Sequence, residues 1–238
     1  MEVRGNDSHD EVMTLSEIAN YLKVSEKTVS RMVRADEMPA IKVSNQWRFI
    51  KAFIDDWLMM KMQSAKQDDL VSIIATGEKL IPISRLVPPE RIIVDLKPGS
   101  KEEILTRLVA PLASQEILAN KENFIMKLLE REAMVSTAVG HGIALPHVRD
   151  PKGLRGVRPS IVLGICKEGV DFDSLDGEPT YIFALCVSPS EVVHLRLMAK
   201  ISFLLRNEGV ISSLRQAMSV KDVMSELAKA DLNLTISL

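Results

Sequence analysis

The sequence has few of the residues that would build a disulfide framework or a zinc site. Its 238 residues include two cysteines and four histidines, and their spacing does not match a zinc-ligand pattern. Cys166 and Cys186 each lie within an apolar segment, which predicts two buried thiols in a reducing cytoplasm. We therefore expect neither a metal ion nor a cofactor.

Long apolar runs and a strong net charge are also missing. No run approaches the roughly 20 apolar residues that cross a bilayer, and residues 1–10 are polar and acidic, unlike a secretory signal. We therefore expect a cytoplasmic protein without a membrane segment. The formal net charge is −2, so any contact with nucleic acid has to come from a local basic patch.

Changes in composition divide the chain into three parts. We predict a small module at residues 12–63, a linker at 64–82 and a large domain at 83–238. The linker begins with a polar run at 64–69 that interrupts the apolar pattern of the preceding helix, and Gly77 follows soon after.

The small module has the pattern of two helices, a hairpin and a third helix. Thr14 and Glu17 have the spacing of a capping box for the first helix. Ser25 is a suitable N-cap for a second helix near residues 26–35, which we expect Pro39 to stop. The remaining elements are strands at 41–43 and 47–49 around a turn at 44–46, then an amphipathic helix marked by Phe53, Ile54, Trp57 and Leu58.

The basic residues of this module are concentrated around its second helix. Residues 20–51 contain seven Lys or Arg and three Asp or Glu. The second helix of a helix-turn-helix motif enters the major groove of DNA. The side chains that we expect to reach DNA are Lys27, Thr28, Arg31 and Arg34 on the helix and Arg48 on the hairpin.

The same segment resembles the excisionase-like, MerR-related winged helix-turn-helix family. The resemblance rests on residues 15–19, 24–29, 38–43, 47–49 and 57–58. It implies binding to double-stranded DNA, with a homodimer as a possible assembly and Met59, Met60 and Met62 as a possible seam. Asp36 and Ser44-Asn45 stand where the family often has glycine, and Asp and Asn tolerate the same backbone angles. A winged module used only for protein contacts stays open as an alternative.

The large domain alternates strand-like and helical segments, which predicts an α/β fold with a mixed β-sheet flanked by helices. Residues 92–94, 161–165 and 181–185 are strand-like, and the last two segments look buried on both faces. Ser100 and Glu103 form a second capping box, and apolar stripes follow at 104–112 and 124–129. A long helix is expected near 192–206, and Ser219 opens a last helix.

Residues 131–147 combine the parts of an anion site. Two glycines, Gly140 and Gly142, allow tight turns and close backbone approach, and Arg131 carries a fixed positive fork suited to phosphate. Ser136 and Thr137 add hydroxyl donors. His147 follows a stiff proline. Alone, these features give a signal of moderate specificity, because glycine loops are common.

Residues 83–238 resemble the enzyme IIA domain of the fructose/mannitol class in the phosphoenolpyruvate-dependent phosphotransferase system, nearest to its nitrogen-regulatory branch. The pieces that carry the resemblance lie at 131–132, 136–137, 140–147, 170–172, 176–179 and 194–195. In that family the histidine after the proline accepts a phosphoryl group, with an arginine upstream and a second histidine downstream. The resemblance therefore implies that His147 is the acceptor, with Arg131 and His194 beside it. Thr137 is a further candidate, whereas His141 has a structural role in the loop. Val148 stands where the family usually has glycine.

These two resemblances together predict a phosphocarrier domain fused to a DNA reader. An HPr-like phosphocarrier would phosphorylate His147, and the added charge would change DNA binding and so regulate transcription. Two alternatives stay open. In one, the chain is an ordinary IIA carrier that passes phosphate to the IIB domain of a sugar permease. In the other, it is a transcription factor whose large domain senses a ligand without phosphotransfer.

Overall fold

The computed structural model describes residues 12–64, 82–114, 117–118, 120–148, 159–188 and 191–237. The chain divides into two compact units between Lys61 and Met62. Almost all of the predicted linker, 65–81, lies outside the described residues.

The N-terminal unit is a helix-turn-helix with a three-stranded sheet. Strand β1 (Val12–Met13) and strand β2 (Ile41–Val43) both pair antiparallel with strand β3 (Gln46–Ile50). The helices are α1 (Leu15–Leu22), α2 (Glu26–Arg34) and α3 (Lys51–Ser64). The side chains of Ile18, Val29, Phe49 and Ile54 are fully buried between these elements. An indole hydrogen bond from Nε1 of Trp57 to the carbonyl of Glu37, 2.7 Å long, ties α3 to the segment after α2.

Local capping sets the helix starts in this unit. The Thr14 hydroxyl accepts from the backbone N–H of Glu17, whose carboxylate accepts from the Thr14 N–H, so the predicted capping box is confirmed. Ser25 caps α2 as expected. Helix α2 ends at Arg34, well before Pro39, since Asp36 turns the chain with a φ of 56°. The expectation that Pro39 stops this helix was wrong.

The hairpin is tighter than its sequence suggested. Ser44 and Asn45 both have positive φ, 47° and 65°, as a two-residue turn of the favoured hand requires. Gln46 therefore belongs to β3 rather than to the turn. Strand β1 was not predicted, because two residues carry no periodicity.

The C-terminal unit contains a five-stranded mixed sheet, which confirms the predicted α/β fold. Its strands are β4 (Ile92–Ile93), β5 (Ala138–Gly140), β6 (Ile143–Ala144), β7 (Ser160–Val170) and β8 (Thr180–Val187). Their order is β4-β7-β8-β6-β5. The β4–β7 and β6–β8 pairs are parallel, and the β5–β6 and β7–β8 pairs are antiparallel. The long strands β7 and β8 are buried on both faces over most of their length, as their apolar runs predicted.

Helices surround this sheet. They are α4 (Ile83–Leu86), α5 (Lys101–Ser114), α6 (Lys121–Met134), α7 (Glu191–Leu204), α8 (Glu208–Gln216) and α9 (Val220–Ser237), with a 3₁₀ turn at Pro89–Arg91. Hydrogen bonds between Ser100 and Glu103 confirm the second capping box. Helices α5 and α6 share a core cluster with β7 and β8 that includes Leu105, Leu108, Phe124 and Phe183. Helix α8 was not predicted. In the part of the chain that the structure describes, no helix combines the length and apolarity needed to span a bilayer.

Candidate functional site

The main chain of His147 continues the parallel pairing of strand β6 with β8. His147 forms a parallel bridge with Cys186 in β8, and the Cys186 N–H donates to the carbonyl of Pro146 at 2.9 Å. The His147 side chain is 1% exposed. The sheet therefore fixes the backbone of this histidine, and the fold almost encloses its ring.

Both ring nitrogens of His147 have hydrogen-bond partners. Nδ1 lies 2.9 Å from the carbonyl oxygen of Leu145, and Nε2 lies 3.3 Å from Nε of Arg131. Since the guanidinium can only donate, Nε2 is the acceptor and the proton belongs on Nδ1, from which it is donated to Leu145. This is the tautomer that satisfies both contacts.

The last turn of α6 aims Arg131 at this ring. Its Nη1 donates to the carbonyl of Val135 at 2.7 Å while its Nε donates to His147. Arg131 is 3% exposed. The guanidinium is therefore held at two points in a nearly dry environment, where a fixed charge acts more strongly than it does in water.

His194 approaches the same imidazole from α7. The ring centroids of His147 and His194 lie 4.8 Å apart, and the ring planes are inclined at 40°. His194 is half-buried. The fold thus brings together His147, Arg131 and His194, the three residues that the resemblance placed at one site.

The Thr137 hydroxyl is engaged by a buried carboxylate rather than by His147. The Thr137 Oγ1 donates to Oε2 of Glu132 at 2.5 Å, and both groups are buried. The Ser136 hydroxyl also lies beside this carboxylate, 2.8 Å from Oε1. The sequence interpretation named Glu132 only as part of a motif and gave it no role. The sequence signal that could have indicated a role for Glu132 was the pair of hydroxyl residues, Ser136 and Thr137, four and five positions after it.

His141 lies in the β5–β6 turn, at the other end of β6 from His147. It is exposed, and Gly140, His141 and Gly142 all have positive φ. The His141 N–H donates to Asp176 at 2.7 Å. A hydrogen bond from the Ser174 hydroxyl, with further ones from the N–H groups of His141 and Glu178, lowers the pKa of Asp176 to about 2. This is the loop-structural position expected for His141.

Within the described ranges, no three His, Cys, Asp or Glu side chains come together as metal ligands. Cys166 and Cys186 are free and buried, as predicted. Burial raises the pKa of the Cys186 thiol to about 12.

Val148, at the position where the resembling family usually has glycine, packs into the core cluster of the C-terminal unit.

In the N-terminal unit, α2 presents a basic face opposite its buried face. Lys27, Arg31 and Arg34 are exposed at i, i+4 and i+7, while Val29 and Val33 point into the core. Thr28 is engaged locally, since its hydroxyl lies 2.8 Å from that of Ser25. Arg48 on β3 donates to the Gln46 side chain at 2.6 Å and to the Trp47 carbonyl at 3.0 Å.

Two family models match separate parts of the chain. Residues 85–230 match the family described as phosphoenolpyruvate-dependent sugar phosphotransferase system, EIIA 2. Residues 12–62 match the helix-turn-helix domain family. The first match covers more than half of the chain.

Individual relatives come from both regulatory and sugar-transport proteins. The chain is 34% identical over 154 residues to the nitrogen regulatory protein of Bradyrhizobium diazoefficiens, covering 62% of this chain and 95% of that protein. It is 29% identical over 151 residues to the fructose-specific EIIABC component of Bacillus subtilis, covering 63% of this chain and 23% of that protein. The chain is also similar to the crystal structure of nitrogen regulatory protein IIA-Ntr from Neisseria meningitidis. There the TM-score is 0.55 and the identity 25%, over 61% of this chain and 98% of the other.

His147, Arg131 and His194 all lie within the matched segment 85–230. Domains of this kind are phosphotransferases of the phosphotransferase system. The chain therefore belongs to the phosphotransferase system EIIA 2 family and carries a helix-turn-helix domain ahead of its EIIA segment.

Proposed function

We propose that the chain accepts a phosphoryl group on Nε2 of His147 from an HPr-like phosphocarrier and uses this charge to control DNA binding by the helix-turn-helix domain. One observation carries the first half of the proposal. The Leu145 carbonyl holds the proton on Nδ1, and Nε2 keeps its lone pair beside a buried guanidinium.

The transfer step follows from this tautomer. The Nε2 lone pair attacks the phosphorus of the donor's phosphohistidine, the new P–N bond forms as the old one breaks, and the donor's ring nitrogen takes back its electron pair. Phosphoryl transfer depends mainly on positioning and on stabilising the charge of the transferred oxygens. Arg131 stands at the nitrogen where those oxygens arrive, so its N–H groups can pass from His147 Nε2 to the phosphoryl oxygens.

His194 is the second group that we propose to act on the phosphoryl oxygens, as a hydrogen-bond donor. Because so little of the His147 ring is exposed, the donor reaches Nε2 only after a neighbouring side chain moves. The half-buried ring of His194 is the neighbour that we propose to move aside and then close on the phosphate. Thr137 is proposed to support the site through its bond to Glu132 rather than by touching the phosphate.

The DNA half of the proposal rests on the basic face of α2. Lys27, Arg31 and Arg34 share that face, and we propose that it enters the major groove, with Thr28 near the helix start. Arg48 would contact the backbone or the minor groove from the hairpin. A phosphohistidine adds roughly −2 charge, which we propose alters domain docking, self-association or a partner, and so changes DNA occupancy.

A direct role in sugar uptake is the rival that the family itself suggests, with transfer from His147 to a IIB domain. The fused helix-turn-helix domain favours regulation. The relative with 34% identity is named a nitrogen regulatory protein, and the fused domain fits a regulatory role for this chain too.

The test begins with phosphoenolpyruvate, enzyme I and HPr. Wild-type chain should gain one acid-labile phosphate, and His147→Ala should gain none while His141→Ala is labelled normally. Labelled and unlabelled protein should then protect genomic fragments differently in footprinting, with His147→Ala in the complete phosphorylation mixture as the control. Absence of label on the wild type would refute the phosphotransfer step. Equal footprints would refute the coupling, and rapid transfer to a IIB protein would favour the rival.

A further inference from the structure

We propose that Glu132 is a positioning residue for phosphoryl transfer at His147, a role that rests on the function proposed above. Glu132 follows Arg131 in the last turn of α6 and is 4% exposed. Its carboxylate does not contact the histidine. It acts through the chain segment 135–137, which links α6 to β5.

The Glu132 carboxylate accepts hydrogen bonds from Ser136 and Thr137 in this segment. The Thr137 N–H lies 3.1 Å from both carboxylate oxygens, and the Thr137 hydroxyl donates to Oε2. The Ser136 hydroxyl lies 2.8 Å from Oε1 and 2.7 Å from the carbonyl of Phe172, so its one proton serves either acceptor. The position of the segment relative to α6 is therefore set by Glu132.

The two hydrogen bonds of the His147 ring described above, to Arg131 and to Leu145, trace back to the same segment. The Val135 carbonyl accepts from Nη1 of Arg131, whose Nε reaches His147. On the other side, the Thr137 carbonyl accepts from the N–H of Leu145 at 2.9 Å, and the Leu145 carbonyl receives the proton of His147 Nδ1. Holding residues 135–137 thus orients the guanidinium on one nitrogen and fixes the tautomer through the other.

The buried charge of Glu132 has a partner. Nζ of Lys101 lies 3.5 Å from Oε1 of Glu132 and 2.7 Å from the carboxylate of Asp173. The same ammonium lies 5.2 Å from the ring centre of Phe172. An ammonium beside a buried carboxylate offsets part of the cost of removing that carboxylate from water.

A carboxylate is required here, and an amide of the same shape does not replace it. Glutamine offers one acceptor oxygen and an NH₂ group that only donates. In Glu132→Gln the NH₂ would face the N–H or hydroxyl of Thr137 or the ammonium of Lys101. We therefore expect residues 135–137 to shift and the guanidinium of Arg131 to lose its alignment, while the volume of the side chain is unchanged.

The test measures single-turnover phosphorylation of the full chain by phosphorylated HPr over a range of HPr concentrations. Glu132→Gln should lower the limiting rate about tenfold to a hundredfold, the size expected for misaligned reacting groups. The half-saturating HPr concentration should stay unchanged. Glu122→Gln, on the exposed first turn of the same helix, is the matched control and should behave like the wild type.

A second pair of variants isolates the hydroxyl of Thr137. Thr137→Val keeps the side-chain shape but removes the donor to Glu132, and Thr137→Ser keeps the donor. We expect a lower limiting rate in Thr137→Val and near wild-type behaviour in Thr137→Ser. If Glu132→Gln does not fold, this pair decides the proposal, because equal rates in the two variants would overturn it.

Nitrogen NMR of the unphosphorylated chain measures the tautomer of the His147 ring independently of phosphoryl transfer. In the wild type, His147 should give the spectrum of a single tautomer with its proton on Nδ1, and Glu132→Gln should give a mixture. Loss of rate without a change in this spectrum would mean a merely structural role and would overturn the proposal, as would an unchanged rate. If the wild type takes no phosphate, the proposed function fails, and the NMR comparison still decides whether Glu132 positions the ring.

Discussion

The imidazole rings of His147 and His194 lie 4.8 Å apart at their centroids, inclined at 40°. His147 follows the short strand β6, whereas His194 belongs to α7, so only the fold brings these rings together. At this separation His194 is close enough to act on a group attached to His147. A phosphoryl group on Nε2 would add three oxygens to this space.

His194→Ala is expected to slow phosphorylation of His147 about a hundredfold, since a positioned donor or acid contributes roughly that factor. His194→Gln, which keeps an N–H donor, should recover part of the loss. Single-turnover labelling with phosphorylated HPr measures both variants. Equal rates for His194→Ala and the wild type would remove His194 from the site.

Substitutions of Arg131 separate the contribution of its charge to the phosphorylation rate from that of its hydrogen-bonding geometry. Arg131→Lys keeps the positive charge but cannot contact His147 and the Val135 carbonyl with a rigid fork. We expect its limiting phosphorylation rate to fall about a hundredfold, and that of Arg131→Gln to fall further because the charge is lost as well. A lysine variant as fast as the wild type would show that the two-point hold on the guanidinium is dispensable.

Asp176 gives a prediction about stability and pH. Hydrogen bonds from the Ser174 hydroxyl and the N–H groups of His141 and Glu178 lower its pKa from 3.8 to about 2. A lowered carboxyl pKa means that the native state favours the ionised form. The stabilisation is therefore complete above pH about 4 and disappears as the pH falls through about 2.

Asp176→Asn should consequently be less stable than the wild type at neutral pH, and the difference should shrink as the pH falls from about 4 to about 2. Urea unfolding followed by far-ultraviolet circular dichroism measures it. Asp95→Asn is the control, because Asp95 makes only an exposed ion pair with Lys97. A constant difference between Asp176→Asn and the wild type across this range would contradict the assignment.

Substitution of Arg31 tests whether the basic face of α2 binds DNA. It lies exposed at the centre of the basic face of α2, between Lys27 and Arg34. Arg31→Ala is expected to weaken binding to a genomic fragment selected by footprinting by about 1–3 kcal/mol, the discrimination of a bidentate base contact. Gel shifts at two salt concentrations would measure this, because losing a phosphate contact lowers the salt dependence of binding, whereas losing a base contact lowers the affinity without that change. Unchanged affinity at both concentrations would exclude Arg31 from the interface.

Local signals made much of the fold predictable. Thr14 with Glu17 and Ser100 with Glu103 act over three residues, so their capping boxes form as the sequence indicates. The elements that were missed depend on distant partners. Strand β1 exists because β3 offers it an edge. Helix α8 contains Gly209 and two serines, which weaken the helical signal, although Val210 and Leu214 share a buried face.

The sequence predicted which three residues meet at the site, but it did not predict the residues that support them. The resemblance joined His147 with Arg131 and His194 across long stretches of chain. It gave no sign that Lys101, thirty-one residues before Glu132 and on another helix, would balance that carboxylate. Contacts of this kind follow from how α5 and α6 pack, and the periodicity of either helix alone does not contain them.

The bridge between His147 and Cys186 has a chemical consequence. The thiolate is the nucleophilic form of a cysteine, and here a cysteine lies in register with the proposed phosphate acceptor. With a pKa of about 12, this sulfur stays protonated at neutral pH. A thiol that keeps its proton is a weak nucleophile, so we expect a phosphoryl group on His147 to stay on the imidazole and not to move to Cys186.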